Sequence, residues 1–88
     1  MHESSLMKGL LRKLEELSRA NGGGRITCVR VWLGALSHFS VEHFREHFER
    51  DAPGTVAEGA ALEVTLSEDA LHPRSLEVVL ESADVTEP

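Results

Sequence analysis

The sequence predicts an α+β fold: a small three-stranded sheet covered on one face by two helices, with elements in the order α-β-α-β-β. Three observations predict it. Two segments repeat their apolar residues at spacings of three and four, the period of an amphipathic helix. Three others are rich in β-branched residues or alternate apolar with polar, the period of a half-buried strand. The whole spans 88 residues, a length that suits one domain with an adequate rather than generous core.

The first helix is predicted from Ser4 to Ala20, where Leu6, Met7, Leu10, Leu11, Leu14 and Leu17 fall on one stripe. Glu15 and Arg19 form an i,i+4 pair on the other side. Asn21-Gly22-Gly23-Gly24 stops this helix, because glycine readily takes the left-handed conformation of a helix end. The following RITCVRVWLG reads as a strand, with Val29, Val31 and Leu33 on one face and Cys28, Arg30 and Trp32 on the other. Gly34 ends or bends it.

Ser40 can cap a second helix, VEHFREHFER, with Phe44 and Phe48 one turn apart toward the core. Asp51-Ala52-Pro53-Gly54 terminates that helix. The remainder is β in character. Leu62, Val64 and Leu66 alternate with Glu63 and Thr65; Leu76, Val78 and Leu80 alternate with Glu77, Val79 and Glu81. The two strands are read as neighbours, joined by SEDALHPR, which is long for a tight hairpin. The sequence shows no internal repeat and no low-complexity tract.

Composition is that of a globular chain, with 41% apolar and 27% charged residues. The net charge of −6 is unevenly spread. Residues 1–50 carry eight Lys or Arg against six Asp or Glu, whereas residues 51–88 carry nine acids against Arg74 alone. Nucleic acid is therefore not an expected partner, since phosphate binding needs a basic face. Nothing at the start resembles a signal peptide and no apolar run reaches membrane-spanning length, so no membrane partner and a cytoplasmic location are expected. Cys28 is the single cysteine, which precludes an intramolecular disulfide and a CxxC zinc site within this chain. At an apolar strand position it reads as a small core residue.

Chemistry concentrates on the histidines. The α-amine of residue 1, the backbone nitrogen of His2 and the His2 imidazole can close fused five- and six-membered chelate rings. The nitrogen or carboxylate of Glu3 is a candidate fourth donor. In-plane nitrogens suit Ni(II) and Cu(II). The scheme requires Met1 to be retained, as is expected before a bulky histidine. The plain alternative is an unstructured end, with Glu3 favourably placed near a helix N-terminus. His43 and His47, four apart, share a helix face and could clasp a metal. Glu42 and Glu46 lie beside them and His38 precedes them, but no third ligand is fixed by spacing, so a solvated face is the expectation. His72 beside Pro73 reads as a loop residue. No GxGxxG, P-loop or GxSxG motif is present, and Gly22-Gly23-Gly24 precedes a strand rather than a helix, the wrong context for a phosphate. No enzymatic chemistry is expected.

Four ordered segments, MHESSLMKGLL, VRVWLGALSHFSVEHFREHFE, GTVAEGAALEV and EVVLESADVTE, give the chain its resemblance to the HypA/HybF hydrogenase-maturation nickel chaperones. The resemblance covers roughly residues 1–66 and 77–87, and its most specific parts are the MHE start, LGALS and GTVAEGAALEV. It implies Ni(II) binding at Met1, His2 and Glu3. It also implies two partners: a HypB-type maturation GTPase, and the [NiFe]-hydrogenase large subunit that receives the metal. Residues 1–88 are then one HypA-like nickel-binding domain.

The family's inserted zinc domain, with two CxxC pairs, would fall between Leu66 and Glu77. Only a short loop of about residues 67–76 stands there, so the zinc domain is expected to be absent and no structural zinc is expected. His38, His43 and His47 stand where the family pattern has no histidine. Beside the nickel-chaperone reading stands a metal-independent adaptor for a maturation or assembly complex, motivated by Trp32 as a partner anchor; cross-strand packing or cover by a loop is the plain reading of that residue. An uncovered sheet edge could also pair with a second copy as a homodimer.

Overall fold

A computed structural model describes residues 3–86. Its elements are α1 (Glu3–Ala20), β1 (Ile26–Leu33), α2 (Val41–Asp51), β2 (Ala61–Leu66) and β3 (Val78–Val85), the predicted α-β-α-β-β order. The three strands form one mixed sheet in the spatial order β2-β1-β3. β1 runs parallel to β2 and antiparallel to β3.

The helical stripe of α1 is buried as its spacing requires. Met7, Leu10 and Leu14 are within the core, and Leu6, Leu11 and Leu17 pack on its margin. The Glu15–Arg19 pair forms at 3.8 Å between exposed side chains. After Ala20 the backbone turns left-handed at Gly22 and Gly23, and the Gly23 amide returns to the Ser18 carbonyl at 2.8 Å. Val29, Val31 and Leu33 of β1 are fully buried and meet Phe44 and Phe48 of α2 in the same cluster. Burial of these side chains is the main stabilising term, each contributing ~1.5–3 kcal/mol relative to exposure.

Two details depart from simple alternation. Ile26 shares the core with Val29, three residues on, because the β1–β3 register shifts between Ile26 and Cys28. A second shift, between Arg30 and Val31, lets β3 turn inward Val78 and Leu80, then Ala83 and Val85. A bulge of this kind inserts an extra residue and reverses which parity faces inward.

The strand topology corrects the expected adjacency of the last two strands. The β1-α2-β2 crossover lays β2 along one side of β1, and β3 takes the other side. Leu66 and Val78 therefore both pair with Leu33, and the segment between them crosses the end of β1. Leu76 belongs to this connection rather than to the strand, and is 71% exposed.

The connection is tied down by its own turns and by β1. The Leu71 amide donates to the Asp69 carboxylate at 2.9 Å, and Arg74 pairs with Glu77 at 2.9 Å. The Gly34 amide donates to the Glu77 carbonyl at 2.8 Å, and the Leu36 amide to the Ser75 carbonyl at 2.7 Å. Gly34 is required here: a Cβ on it would lie 2.2 Å from the Ser75 carbonyl oxygen. No helix among the described residues is long and apolar enough to cross a membrane.

Candidate metal centre

Met1 and His2, two of the three residues of the expected nickel site, lie outside the described residues. Glu3 is the first residue of α1, so its amide is among the helix's first N–H groups, which have no intrahelical carbonyl partner. The helix that follows is anchored by its buried stripe. Its first turns, through Ser5, Leu6, Gly9, Leu10 and Lys13, line a groove of about 290 Å³ shared with Phe44 of α2 and with Val78 and Leu80 of β3. The terminus thus leads directly into a helix packed on the core.

The second group of candidates lies on α2, whose start is closely determined. Ser40, in extended conformation, accepts a 3.0 Å hydrogen bond from the His43 amide through its Oγ. Phe39, just before this cap, meets Phe44 edge-to-face with ring centroids 5.8 Å apart. A polar cap flanked by such an apolar contact fixes the angle at which the chain enters a helix. His38 absorbs the turn with a left-handed backbone, φ 68°, a conformation uncommon outside glycine that histidine, asparagine and aspartate adopt more often than other side chains.

His43 and His47 consequently stand one turn apart on the same side, their rings stacked at 4.8 Å and their Nε2 atoms 3.0 Å apart. Arg50 lies 3.0 Å from His47 Nδ1 and also pairs with Asp51. Its guanidinium, hydrogen-bonded to Asp51, holds that carboxyl below its ordinary range. His38 and His72 do not join the pair: among the described residues no three His, Cys, Asp or Glu side chains converge on one point.

The sheet face away from the helices carries a different set. Arg30 reaches Asp84 with two hydrogen bonds, at 3.1 and 3.0 Å, and lies 3.7 Å from Glu63. The Arg30 hydrogen bond depresses the Asp84 pKa below the ordinary value. The Cys28 thiol donates to Glu63 at 3.3 Å; that bond and burial push its pKa up, which disfavours the nucleophilic thiolate. Trp32 lies against His72 of the β2–β3 connection, centroids 4.9 Å apart, as expected for a tryptophan covered by a loop rather than standing free as an anchor.

A sequence model of the family described as "Hydrogenase/urease nickel incorporation, metallochaperone, hypA" matches residues 1–78. Hydrogenase maturation factor HypA of Acidithiobacillus ferrooxidans is 44% identical over 64 residues, which cover 73% of this chain and 57% of that protein. The protein of the same name from Rhizobium leguminosarum bv. viciae is 39% identical over 64 residues, with the same coverage. The chain thus spans less than three-fifths of the length of the curated relatives it matches, at 57%. Among solved structures, the solution structure of the Ni metallochaperone HypA from Helicobacter pylori superposes with a TM-score of 0.83 over the whole of both chains at 20% identity, and has the same fold. With its first 78 residues matched by the family model and relatives at this level of identity, the chain belongs to the HypA family.

Proposed function

We propose that this protein is a nickel metallochaperone for [NiFe]-hydrogenase maturation, with Ni(II) as its cargo, held at Met1, His2 and Glu3. The observation that carries the reading is the conjunction of family membership with an N-terminal Met-His-Glu. The α-amine, the His2 backbone nitrogen and the His2 imidazole form fused chelate rings, and nitrogen donors in one plane suit Ni(II). The start of α1 at Glu3 supports this arrangement. Its amide is not needed for the helix, and the positive end of the helix dipole favours a deprotonated amide nearby.

Delivery requires only exchange of ligands. One coordination position passes to a donor on a partner, and the ion follows. The partners in this reading are a HypB-type GTPase and the large subunit of the hydrogenase. No structural zinc takes part: the single Cys28 is committed to β1, and the β2–β3 connection packs directly on the end of β1.

The test is calorimetric titration of untagged protein with Ni(II), beside His2→Ala and a variant with two residues added before Met1. Both changes abolish or strongly weaken the terminal site, the extension because it converts the α-amine to an amide. Equal Ni(II) binding in all three proteins would overturn the assignment.

A further inference from the structure

We infer that His43 and His47 form a second metal site, in addition to the terminal chelate, holding one divalent ion of the Ni(II) or Cu(II) class through their Nε2 atoms. Local structure makes the pair. The Ser40 cap and the Phe39–Phe44 contact set the first turn of α2, and a spacing of four places the two imidazoles on one face. His43 is exposed and His47 half-buried, so an ion can reach both.

The two Nε2 atoms are 3.0 Å apart. That spacing is the length of the Nε2–Nε2 hydrogen bond an ion would replace, and imidazole donors suit Ni(II) and Cu(II) among the divalent ions. The surroundings are anionic on balance, since α2 carries Glu42, Glu46, Glu49 and Asp51 against Arg45 and Arg50. Two imidazole ligands leave further coordination positions on the ion.

In the metal-free pair a proton occupies one of the two nitrogens that the ion would use. A guanidinium only donates hydrogen bonds, so Arg50, 3.0 Å from His47 Nδ1, makes that nitrogen the acceptor. The neutral His47 ring therefore carries its proton on Nε2 and donates it to His43 Nε2. Binding an ion at both Nε2 atoms moves the His47 proton to Nδ1. No proton is lost from the ring, and Arg50 gives up that contact while keeping Asp51, which it already holds through Nε at 3.0 Å.

The segment His43-Phe44-Arg45-Glu46-His47 also has the HxxEH spacing of some metallopeptidases. Hydrolysis there would need a third ligand on the same ion, and none is placed among the described residues.

The experiment is Ni(II) titration of the untagged full chain in four forms: wild type, His2→Ala, His43→Gln/His47→Gln, and the triple variant, with helix content checked by circular dichroism. The expected stoichiometries are two ions, one, one and none. In His2→Ala, the His43 and His47 ring resonances are the ones that shift or broaden when Ni(II) is added. If the double variant folds poorly, the single variants His43→Gln and His47→Gln each remove the same ion. A His2→Ala protein that binds none, a pair variant that still binds two, or a wild type that binds one ion shared by both groups overturns the proposal. Loss confined to His2→Ala bears on the terminal site, and loss confined to the pair variants bears on this one.

Discussion

Replacing Gly34 with alanine should strip the β2–β3 connection from the end of β1. The new Cβ would stand 2.2 Å from the Ser75 carbonyl oxygen, 2.5 Å from its carbon and 2.7 Å from the Arg74 carbonyl oxygen. All three are backbone atoms, so no side-chain rotation relieves the contact. Reaching ordinary van der Waals distance requires the connection to retreat by about 1 Å or more. A retreat of that size stretches Gly34 N–H···O Glu77, now 2.8 Å, and Leu36 N–H···O Ser75, now 2.7 Å, beyond useful length. Two such bonds are worth about 1 kcal/mol each, with somewhat more for leaving donors unmatched. Alanine returns a few tenths to 1 kcal/mol by restricting the unfolded chain. The net expectation is a loss of about 2 kcal/mol, which in a domain of this size lowers Tm by roughly 8–16 °C. Thermal melts, with urea unfolding to show an unchanged m value, measure it. A Gly34→Ala protein melting within about 2 °C of wild type would refute the claim that this docking contributes to stability.

Three further outcomes are expected. Gly9→Ala, in mid-α1 with nothing within 4 Å of the added Cβ, should stabilise by about 0.5–1 kcal/mol; a lower Tm would show hidden crowding in the adjacent groove. Asp51, Glu77 and Asp84 have carboxyls held below their ordinary pKa by arginine partners. Their stabilisation is complete above the unfolded carboxylate pKa of about 4 and is lost as pH falls through the folded values. Asp84→Asn should therefore flatten the decline in urea midpoint below about pH 4, and parallel declines in variant and wild type would contradict the Arg30–Asp84 assignment. Arg50→Ala in the His2→Ala background should raise Ni(II) affinity at the helix pair several-fold, because the guanidinium no longer holds His47 in the wrong tautomer; unchanged or weaker binding would count against that tautomer.

How much of this was legible in the sequence follows from which forces are local. The α1 stripe, the Ser40 cap and the Phe44/Phe48 pair depend on spacings within one or two turns, and all appear as read. The far end of β3 does not. Alternation through Leu76, Val78 and Leu80 points to a strand ending near Glu81, but the register shift opposite Arg30 and Val31 carries pairing on to Val85. A bulge is a response to the neighbouring strand, so no local pattern announces it; the change of phase from Leu80 to Ala83 and Val85 is the one trace. The adjacency of β2 and β3 failed for a similar reason, since alternation reveals a strand's faces and not its neighbour. Of the metal candidates, spacing alone put His43 and His47 on one face. Their 3.0 Å separation and the Arg50 contact depend on rotamers that the sequence does not specify.

The pairing of Leu66 and Val78 with the same residue, Leu33, has a consequence for how the domain can grow. The two strand ends flank one central strand and stand roughly two interstrand spacings apart, about 10 Å. They frame a socket at one end of the sheet, with Val78 on the side that also lines the groove under α1. Any folded unit whose own termini lie about that far apart can be plugged in without asking the sheet to move. Removing it leaves a gap that eleven residues close here, from Ser67 to Glu77. Gain and loss of a module at this position is therefore a change of attachment rather than of architecture.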